Sequence, residues 1–418
     1  MTGLNERAFA APWLIGPQGV IRDGVIALRD DIISYIGARG DYSGFATPEV
    51  FPDSVIFPGL INAHTHTDFP RDRTLKFQRG SMIDWVRAAL EARAGCSDDE
   101  RTADVRAALA QMRATATVAI AEVANDFLPL EPIVESGLVC RFFAERLGFP
   151  EALGPAVADD LRRELAEWRI TLARLLEEHG RSAETVTLHS APHAPYSTSA
   201  WLIRHLAAGE LTTIHLAENA EEVELLQTGG GPWRERLREL GRDNPQWIHP
   251  GLTPLRYATA LGIVRPATIL THMVHVSDTE IAELLNETHH VALCPRSNEF
   301  IGVGAAPVTA YFDRGVTVAL GADSLGSNAD HNLFAEMRAL RALAPEVSPA
   351  NIWRAATVNG AVALRLQRHL GRLSPGTAPG VFASAGAPLD LSDHEELFAF
   401  LIADGDRQLT RLADAKLL

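Results

Sequence analysis

Residues 55–66 read Val-Ile-Phe-Pro-Gly-Leu-Ile-Asn-Ala-His-Thr-His, an apolar run that ends in two histidines separated by one residue. Alternate side chains of a strand point to the same face, so a strand here directs His64 and His66 to one side. Two imidazoles on one face are able to bind the same metal ion. An H-x-H pair alone is a weak signal, because two surface histidines explain most isolated matches. Its position directly after an apolar run favours the metal site.

Short apolar runs recur along the chain, and segments with helical spacing separate them. In one of these segments Leu161, Leu165, Trp168, Leu172 and Leu175 form the apolar stripe of an amphipathic helix. Strands that alternate with helices predict an α/β fold in which a parallel sheet closes into a (β/α)8 TIM-like barrel. The eight runs are Val55–Ala63, Thr117–Val123, Leu138–Ala144, Val186–Ser190, Leu211–Leu216, Thr268–His272, Val291–Cys294 and Val316–Leu320.

The two ends of the chain have a different pattern, with short β-like runs punctuated by glycine, proline and aspartate. We expect them to form a small β-sandwich domain beside the barrel. The predicted division is residues 1–54 and 371–418 for the two parts of this domain and residues 55–370 for the barrel.

The composition excludes several classes of function. The net charge is −15, which argues against a nucleic-acid partner because such proteins neutralise phosphates with clustered lysine and arginine. There are only two lysines, Lys76 and Lys416, and no phosphate-binding loop. The three cysteines form no C-x-x-C pair, and no apolar stretch is long enough to predict a membrane span. We expect a cytoplasmic protein that acts on a small molecule, and a homo-oligomer stays open.

Three further predicted strands end in polar residues that bind metals or move protons. They end in His215-Leu-Ala-Glu218, Thr271-His272 and Leu320-Gly-Ala-Asp323. Each alone has an ordinary explanation, such as a core histidine or an aspartate that caps the next helix. Together they would meet at the carboxyl ends of the strands, where barrel enzymes have their active sites. Imidazoles and a carboxylate suit Zn²⁺ or Fe²⁺, which lowers the pKa of a bound water to about 7.

These stretches resemble the amidohydrolase superfamily, in particular its nucleobase and adenosine-type deaminase branch. The resemblance implies that Glu218 moves protons, that His272 orients or polarises the attacking water, and that Asp323 takes part in catalysis. Strand four, within Val186–Pro195, has no lysine that could bridge two metals, so a mononuclear site is expected. We therefore expect one divalent metal per chain, Zn²⁺ with Fe²⁺ as the alternative, and the implied ligands are His64, His66, His215 and Asp323.

A narrower resemblance is to the aminodeoxyfutalosine deaminases, which remove the 6-amino group of an adenine nucleoside that carries a benzoate, in a menaquinone route. It lies in Asp84-Trp-Val-Arg, in Gly231-Pro-Trp233 and in Cys294-Pro-Arg296-Ser-Asn298. The chain departs from that family at Thr67-Asp68, where Leu-Glu is frequent. The substrate contacts predicted in this way are Asp68, Trp85, His193 and Arg296. Packing of Trp85, a structural role of His193 and a surface salt bridge of Arg296 are the rival interpretations.

The sequence therefore predicts a metal-dependent aminohydrolase that attacks an adenine nucleoside with hydroxide and releases ammonia. The alternatives within the superfamily are a guanine or S-adenosylhomocysteine deaminase and a triazine-type amidohydrolase. A barrel without catalytic activity is the alternative from another class.

Overall fold

The computed structural model describes residues 6–69, 75–391 and 393–417, and within these ranges the chain forms sixteen strands and fifteen α-helices. The strands are β1 (Glu6–Gly16), β2 (Gly19–Arg29), β3 (Ile32–Ala38), β4 (Glu49–Val50), β5 (Ser54–Pro58), β6 (Leu60–His66), β7 (Thr117–Ala124), β8 (Val139–Arg146), β9 (Val186–Pro192), β10 (Thr212–Leu216), β11 (Thr268–His272), β12 (His290–Leu293), β13 (Thr317–Leu320), β14 (Asp323–Ser324), β15 (Ala378–Ala385) and β16 (Leu409–Lys416). The helices are α1 (Met82–Ala94), α2 (Asp98–Ala114), α3 (Leu130–Ser136), α4 (Gly154–Glu178), α5 (Ala200–Leu206), α6 (Ala220–Thr228), α7 (Pro232–Glu239), α8 (Pro254–Ala260), α9 (Asp278–Leu284), α10 (Pro295–Ile301), α11 (Val308–Asp313), α12 (Leu333–Leu343), α13 (Pro349–Ala355), α14 (Val358–Ala363) and α15 (His394–Asp404).

The two ends of the chain pair with each other in one seven-stranded sheet. Its strand order is β16-β15-β5-β1-β2-β3, and β4 pairs with the edge of β1. Strand β5 is parallel to β1 and antiparallel to β15, so it joins the N-terminal hairpin to the C-terminal strands. The described strands at the two ends form this single hydrogen-bonded sheet, and the expected two-layer sandwich is not confirmed.

Each of the eight predicted apolar runs contains a strand of the parallel part of the fold. Together with β14, these eight strands form two sheets, β14-β6-β7-β8-β9 and β10-β11-β12-β13, and not one closed ladder, so closure of the barrel is not confirmed. The sheets lie edge to edge. At one junction the backbone N–H of His215 on β10 donates to the carbonyl of His193, which follows β9, at 2.9 Å. At the other, β13 pairs with β12 in one sheet, and β14, which follows it in the chain, pairs with β6 in the other.

The run Val55–Ala63 differs from its prediction because it contains two strands. Strand β5 belongs to the seven-stranded sheet, and β6 belongs to the parallel sheet. Gly59 separates them at a point where a Cβ would lie 2.3 Å from Val118 and 3.0 Å from the carbonyl oxygen of Pro379. Both strands are buried along almost their whole length, so the sequence shows one continuous apolar run with no sign of the change of sheet.

The helices cover the strands with the apolar faces that their spacing predicts. In α4 the side chains of Leu161, Leu165, Leu172 and Leu175 are buried, and Trp168 stacks on Phe127. Helices α2 and α9 each begin with a capping box, in which a serine and a glutamate satisfy backbone and side-chain donors of the first turn. Among the described residues, no helix has both the length and the apolar character needed to cross a membrane.

Candidate active site

His64 and His66 end strand β6, and the neighbouring strand fixes the backbone around them. Thr65 Oγ1 donates to Glu122 Oε2 at 2.7 Å, and Thr67 donates to Glu122 Oε1 from its backbone N–H at 2.9 Å and its hydroxyl at 2.7 Å. Burial raises the pKa of Glu122 to about 8, although these hydrogen bonds favour its charged form. The threonines face away from the histidines, so Glu122 orients the strand end without touching the imidazoles.

The four residues expected to bind metal lie together. His66 Nε2 and His215 Nε2 are 3.2 Å apart. Asp323 Oδ1 lies 3.8 Å from His64 Nε2 and 3.8 Å from His66 Nε2. All four side chains are at least largely buried, so several polar atoms face one another in a small space shielded from solvent.

Neighbouring groups orient His215 towards this space. Its Nδ1 lies 3.1 Å from the carbonyl oxygen of His193 and 3.3 Å from Glu145 Oε1, which leaves Nε2 directed at His66. Burial lowers the pKa of His215, but the hydrogen bond and charge of Glu145 outweigh this effect and raise it to about 9. A carboxylate or carbonyl on the second nitrogen is the usual way in which a metal-binding histidine is oriented.

Asp323 is held by hydroxyl groups at its other oxygen. Ser297 Oγ and Ser327 Oγ both donate to Oδ2, which leaves Oδ1 directed at the histidines. Burial raises the pKa of this carboxyl, but the charges of His272 and His66 and the hydrogen bond from Ser297 outweigh it, and the net shift is downward.

Glu218 and His272 form a pair beside the four residues. Glu218 Oε1 lies 3.2 Å from His272 Nε2, and Tyr196 donates a 3.4 Å hydrogen bond to Glu218 Oε2. Asn298 Oδ1 lies 3.0 Å from His272 Nδ1 on the opposite side of the ring. Burial raises the pKa of Glu218 to about 8, so this carboxyl holds a proton more readily than an exposed one. It is therefore suited to accepting and returning a proton near pH 7.

The polar atoms of this centre fit a divalent cation. Among the described residues, neither buried ring nitrogen of His64 has a hydrogen-bond partner, nor does the buried Nε2 of His272, whose 3.2 Å approach to Glu218 Oε1 lacks hydrogen-bond geometry. The ligand atoms of His64, His66 and Asp323 lie within 4.8 Å of one another, as do those of His64, His215 and His272. Buried nitrogen atoms without partners are costly in a folded protein, and a bound cation would satisfy them. Three imidazoles and a carboxylate are a donor set suited to Zn²⁺ or Fe²⁺.

A cavity of about 300 Å³ opens above the centre. At its polar end it is lined by His66, His215, Glu218, His272 and Asp323. Its walls are mostly apolar and come largely from α1 and from α7. One polar end with a few convergent groups and apolar walls is typical of a site that binds a small molecule.

Two of the four predicted substrate contacts, Trp85 and His193, line this cavity. Trp85 also donates to the carbonyl of Gly326 at 3.1 Å. Pro192 ends β9, so His193 directly follows a strand.

The other two predicted contacts, Asp68 and Arg296, do not line the cavity. Asp68 is buried and accepts from Arg93 at 2.5 Å and Arg101 at 2.8 Å. Arg296 pairs with Asp330 at 2.6 Å. Their predicted contact with the substrate has no support in the structure.

Several groups of the site are not predicted from the sequence. Glu145 follows Ala144, the last residue of a predicted strand, so the strand-end rule that selected Glu218 would also have selected it. Tyr196 stacks on Trp233 with ring centres 4.1 Å apart and positions its hydroxyl at Glu218. Nothing in the local sequence marks Tyr196, because both the stacking and the hydrogen bond join it to residues more than 20 positions downstream.

The amidohydrolase family profile matches residues 55–380, which is most of the chain. The chain belongs to the amidohydrolase family. This result confirms the resemblance and the hydrolase class predicted from the sequence. Similar members are a 5-methylthioadenosine/S-adenosylhomocysteine deaminase of Nitratidesulfovibrio vulgaris, 30% identical over 379 residues (87% of this chain, 79% of that protein), and an aminodeoxyfutalosine deaminase of Deinococcus radiodurans, 32% identical over 340 residues (77% and 75%).

The fold of this amidohydrolase is also that of solved structures. The crystal structure of Helicobacter pylori aminofutalosine deaminase superposes with a TM-score of 0.80 at 18% identity and covers 99% of this chain and 100% of its own. At this identity the likeness supports the fold and leaves the substrate open. The amidohydrolase centre described above lies within the region that the family profile matches.

Proposed function

We propose that this amidohydrolase is a metal-dependent deaminase that removes the 6-amino group of an adenine nucleoside. The observation that carries the proposal is the pair Glu218 and His272, 3.2 Å apart, beside three imidazoles and Asp323 at the polar end of an otherwise apolar cavity. A proton-transfer group next to a candidate metal centre suits hydrolysis at a planar ring carbon. The relatives named as nucleoside deaminases support the same reaction.

In this proposal His64, His66, His215 and Asp323 hold one divalent ion, Zn²⁺ or Fe²⁺. When bound, such an ion activates water as a nucleophile at neutral pH. Glu218 takes a proton from the attacking water and gives a proton to the departing amino nitrogen, so ammonia leaves and the ring gains an oxygen. His272, fixed by Asn298, orients the water through its Nε2. Trp85 and His193 contact the substrate from the cavity wall.

For the substrate, we propose aminodeoxyfutalosine, which connects the chain to menaquinone biosynthesis. The relative from Deinococcus radiodurans supports this choice, and the relative from Nitratidesulfovibrio vulgaris supports the alternative, a 5-methylthioadenosine or S-adenosylhomocysteine deaminase. The closed barrel, the β-sandwich and the division at residues 54/55 and 370/371 remain part of the proposal. So do a cytoplasmic location and a small-molecule partner, while a homo-oligomer stays open.

Turnover by the purified protein, loaded in turn with Zn²⁺ and Fe²⁺, tests the proposal. Ammonia release is measured with aminodeoxyfutalosine, 5-methylthioadenosine, S-adenosylhomocysteine and guanine, and the products are identified by mass. We expect kcat/KM to be highest for aminodeoxyfutalosine, with replacement of the amino group by oxygen. A preference for S-adenosylhomocysteine would replace the substrate and keep the reaction. No turnover of any adenine nucleoside with either metal would contradict the proposed function.

A further inference from the structure

The cavity extends away from the candidate metal centre along two helices. On α7 the side chains of Trp233, Arg236, Leu237 and Leu240 line it, at intervals of three and four residues, so one face of the helix forms a wall. The wall becomes more exposed along the helix: Trp233 and Leu237 are 5% exposed and Leu240 is 49% exposed. Seven residues of helix rise by about 10 Å, which places Leu240 well away from the end that holds Tyr196 and Glu218.

Helix α1 contributes a second wall, which also has an exposed apolar side chain near the helix end. Met82 and Ala89 are 1% and 2% exposed, and Leu90 is 47% exposed. Arg87 of α1 pairs with Glu239 of α7 at 3.3 Å, so the two helices are joined near the end where Leu90 and Leu240 are exposed. The cavity is therefore an apolar trough with its polar centre at the buried end and its opening at the end of the two helices.

Within the described ranges, Arg236 and Arg242 are the two arginines that line this trough. Arg242 is exposed, and within the part of the chain that the structure describes its guanidinium has no ion pair or side-chain hydrogen bond. Arg236 is 19% exposed and pairs with Glu239 at 3.0 Å, but Glu239 is shared with Arg87. Arg87 also lies 3.9 Å from Asp84, so two carboxylates serve Arg87 and Arg236. The positive charge at the opening that no described carboxylate pairs with is that of Arg242, in a chain whose net charge is −15.

Among the described residues, the acidic side chains that line the cavity are Glu145, Glu218 and Asp323, and these three belong to the polar centre. A ligand group at the opening therefore meets arginines and apolar side chains of the described residues. Guanidinium groups bind carboxylates well because their planar donors form two parallel hydrogen bonds.

We propose that Arg236 and Arg242 form a carboxylate-binding subsite for a nucleoside whose 5′ extension is apolar and carries the carboxylate. This inference rests on the proposed function, since the deaminated ring must lie at the polar centre for the extension to follow the trough. It assigns the carboxylate to residues other than Arg296, which pairs with Asp330 and lies outside the cavity lining.

The test compares a carboxylated nucleoside with its methyl ester in wild type and variants. Loss of a buried charge-assisted hydrogen bond lowers kcat/KM by about 10- to 150-fold, and loss of an exposed pair by about 2- to 5-fold. For the carboxylated nucleoside we expect kcat/KM to fall by about 10- to 150-fold in Arg236→Met and by about 2- to 5-fold in Arg242→Met. In the double variant it should fall by about 20-fold or more. The methyl ester should change by less than about 3-fold, which also shows that the variants are folded.

Arg238→Met is the matched control, because Arg238 lies on the same helix, is 62% exposed and pairs with Asp243 outside the cavity lining. It should leave both substrates unchanged, and Arg236→Lys should recover part of the preference. Equal losses on the two nucleosides, or a selective loss in Arg296→Met with none in the double variant, would overturn the subsite.

Failure of the proposed function has a different outcome from failure of the subsite. A wild type that deaminates the methyl ester, but shows no preference for the carboxylate, keeps the function and removes the subsite. A wild type that deaminates neither nucleoside removes the function. In that case calorimetric binding of the same two nucleosides tests the subsite. Tighter binding of the carboxylated nucleoside than of its methyl ester by wild type, with this difference lost in the double variant, supports the subsite. Equal affinities of wild type for the two nucleosides contradict it.

Discussion

Replacing Glu218 with glutamine tests the proton-transfer step directly. The amide has nearly the shape of the carboxyl group, but it neither accepts a proton from water nor returns one to the leaving nitrogen. General acid–base catalysis is typically worth about 10²- to 10⁴-fold, or about 2.7–5.5 kcal/mol of transition-state stabilisation. The structure favours a normal fold for this variant, because Glu218 is 4% exposed and burial already favours the uncharged form of its side chain. We therefore expect a large loss of kcat without loss of metal.

Tyr196→Phe supplies the matched control for Glu218→Gln. It removes the 3.4 Å hydrogen bond to Glu218 Oε2 and keeps the stacking on Trp233. A neutral hydrogen bond is worth about 0.5–1.5 kcal/mol, so kcat should fall by about 2- to 13-fold. The assays are ammonia release, elemental analysis of the bound metal and thermal unfolding. A Glu218→Gln protein with full metal content and a kcat near that of wild type would show that another group moves the proton.

Further predictions concern the proposed metal and two of the three strand ends that carry its proposed ligands. Elemental analysis should find about one divalent ion per chain, and two ions that are both needed for full activity would contradict the mononuclear centre. Glu122→Ala should lower the free energy of unfolding by at least about 2 kcal/mol, since the buried backbone N–H and hydroxyl of Thr67 lose their acceptor and each unpaired donor costs about 1–3 kcal/mol, and denaturant unfolding measures it. Asp323→Gly and Asp323→Ala should both lose metal. The glycine variant should unfold at the higher temperature, because φ is 55° at this position, and the reverse order would show that the backbone there is not strained.

The sequence predicted the centre of the site because one rule covers its residues. Each of His64, His66, His215, Glu218, His272 and Asp323 follows or ends an apolar run, and parallel strands bring such positions to a common edge. No knowledge of helix packing was needed, since strands determine where these residues lie. The same reasoning predicted the eight parallel strands. It did not predict that Gly59 divides the first run, because burial on both sides leaves the apolar pattern unbroken.

The substrate contacts could not be predicted in the same way, because they depend on distant segments. Asp68 lies two residues after His66, but β6 has ended by then, and its carboxylate meets Arg101 from α2. Arg296 lies in the first turn of α10, near the predicted site. Its guanidinium pairs with Asp330, which is 34 residues downstream. Arg236 and Arg242 are two among 36 arginines, and only the packing of α7 against α1 distinguishes them.

The backbone at the strand ends explains why so many functional side chains follow strands in this chain. Ala217, His272 and Asp323 have φ values of 53°, 70° and 55°, in the left-handed region that residues other than glycine seldom adopt. Such conformations cost about 1–3 kcal/mol each and persist where the surroundings require them. Here each left-handed residue bends the chain at or just after the end of a strand. The bend directs His272 and Asp323 into the centre and the following segment away from it. The strained residues therefore lie at three strand ends, which carry His215 with Glu218, His272 and Asp323. At these ends, directing a side chain at the common centre requires a bend that a regular strand does not supply.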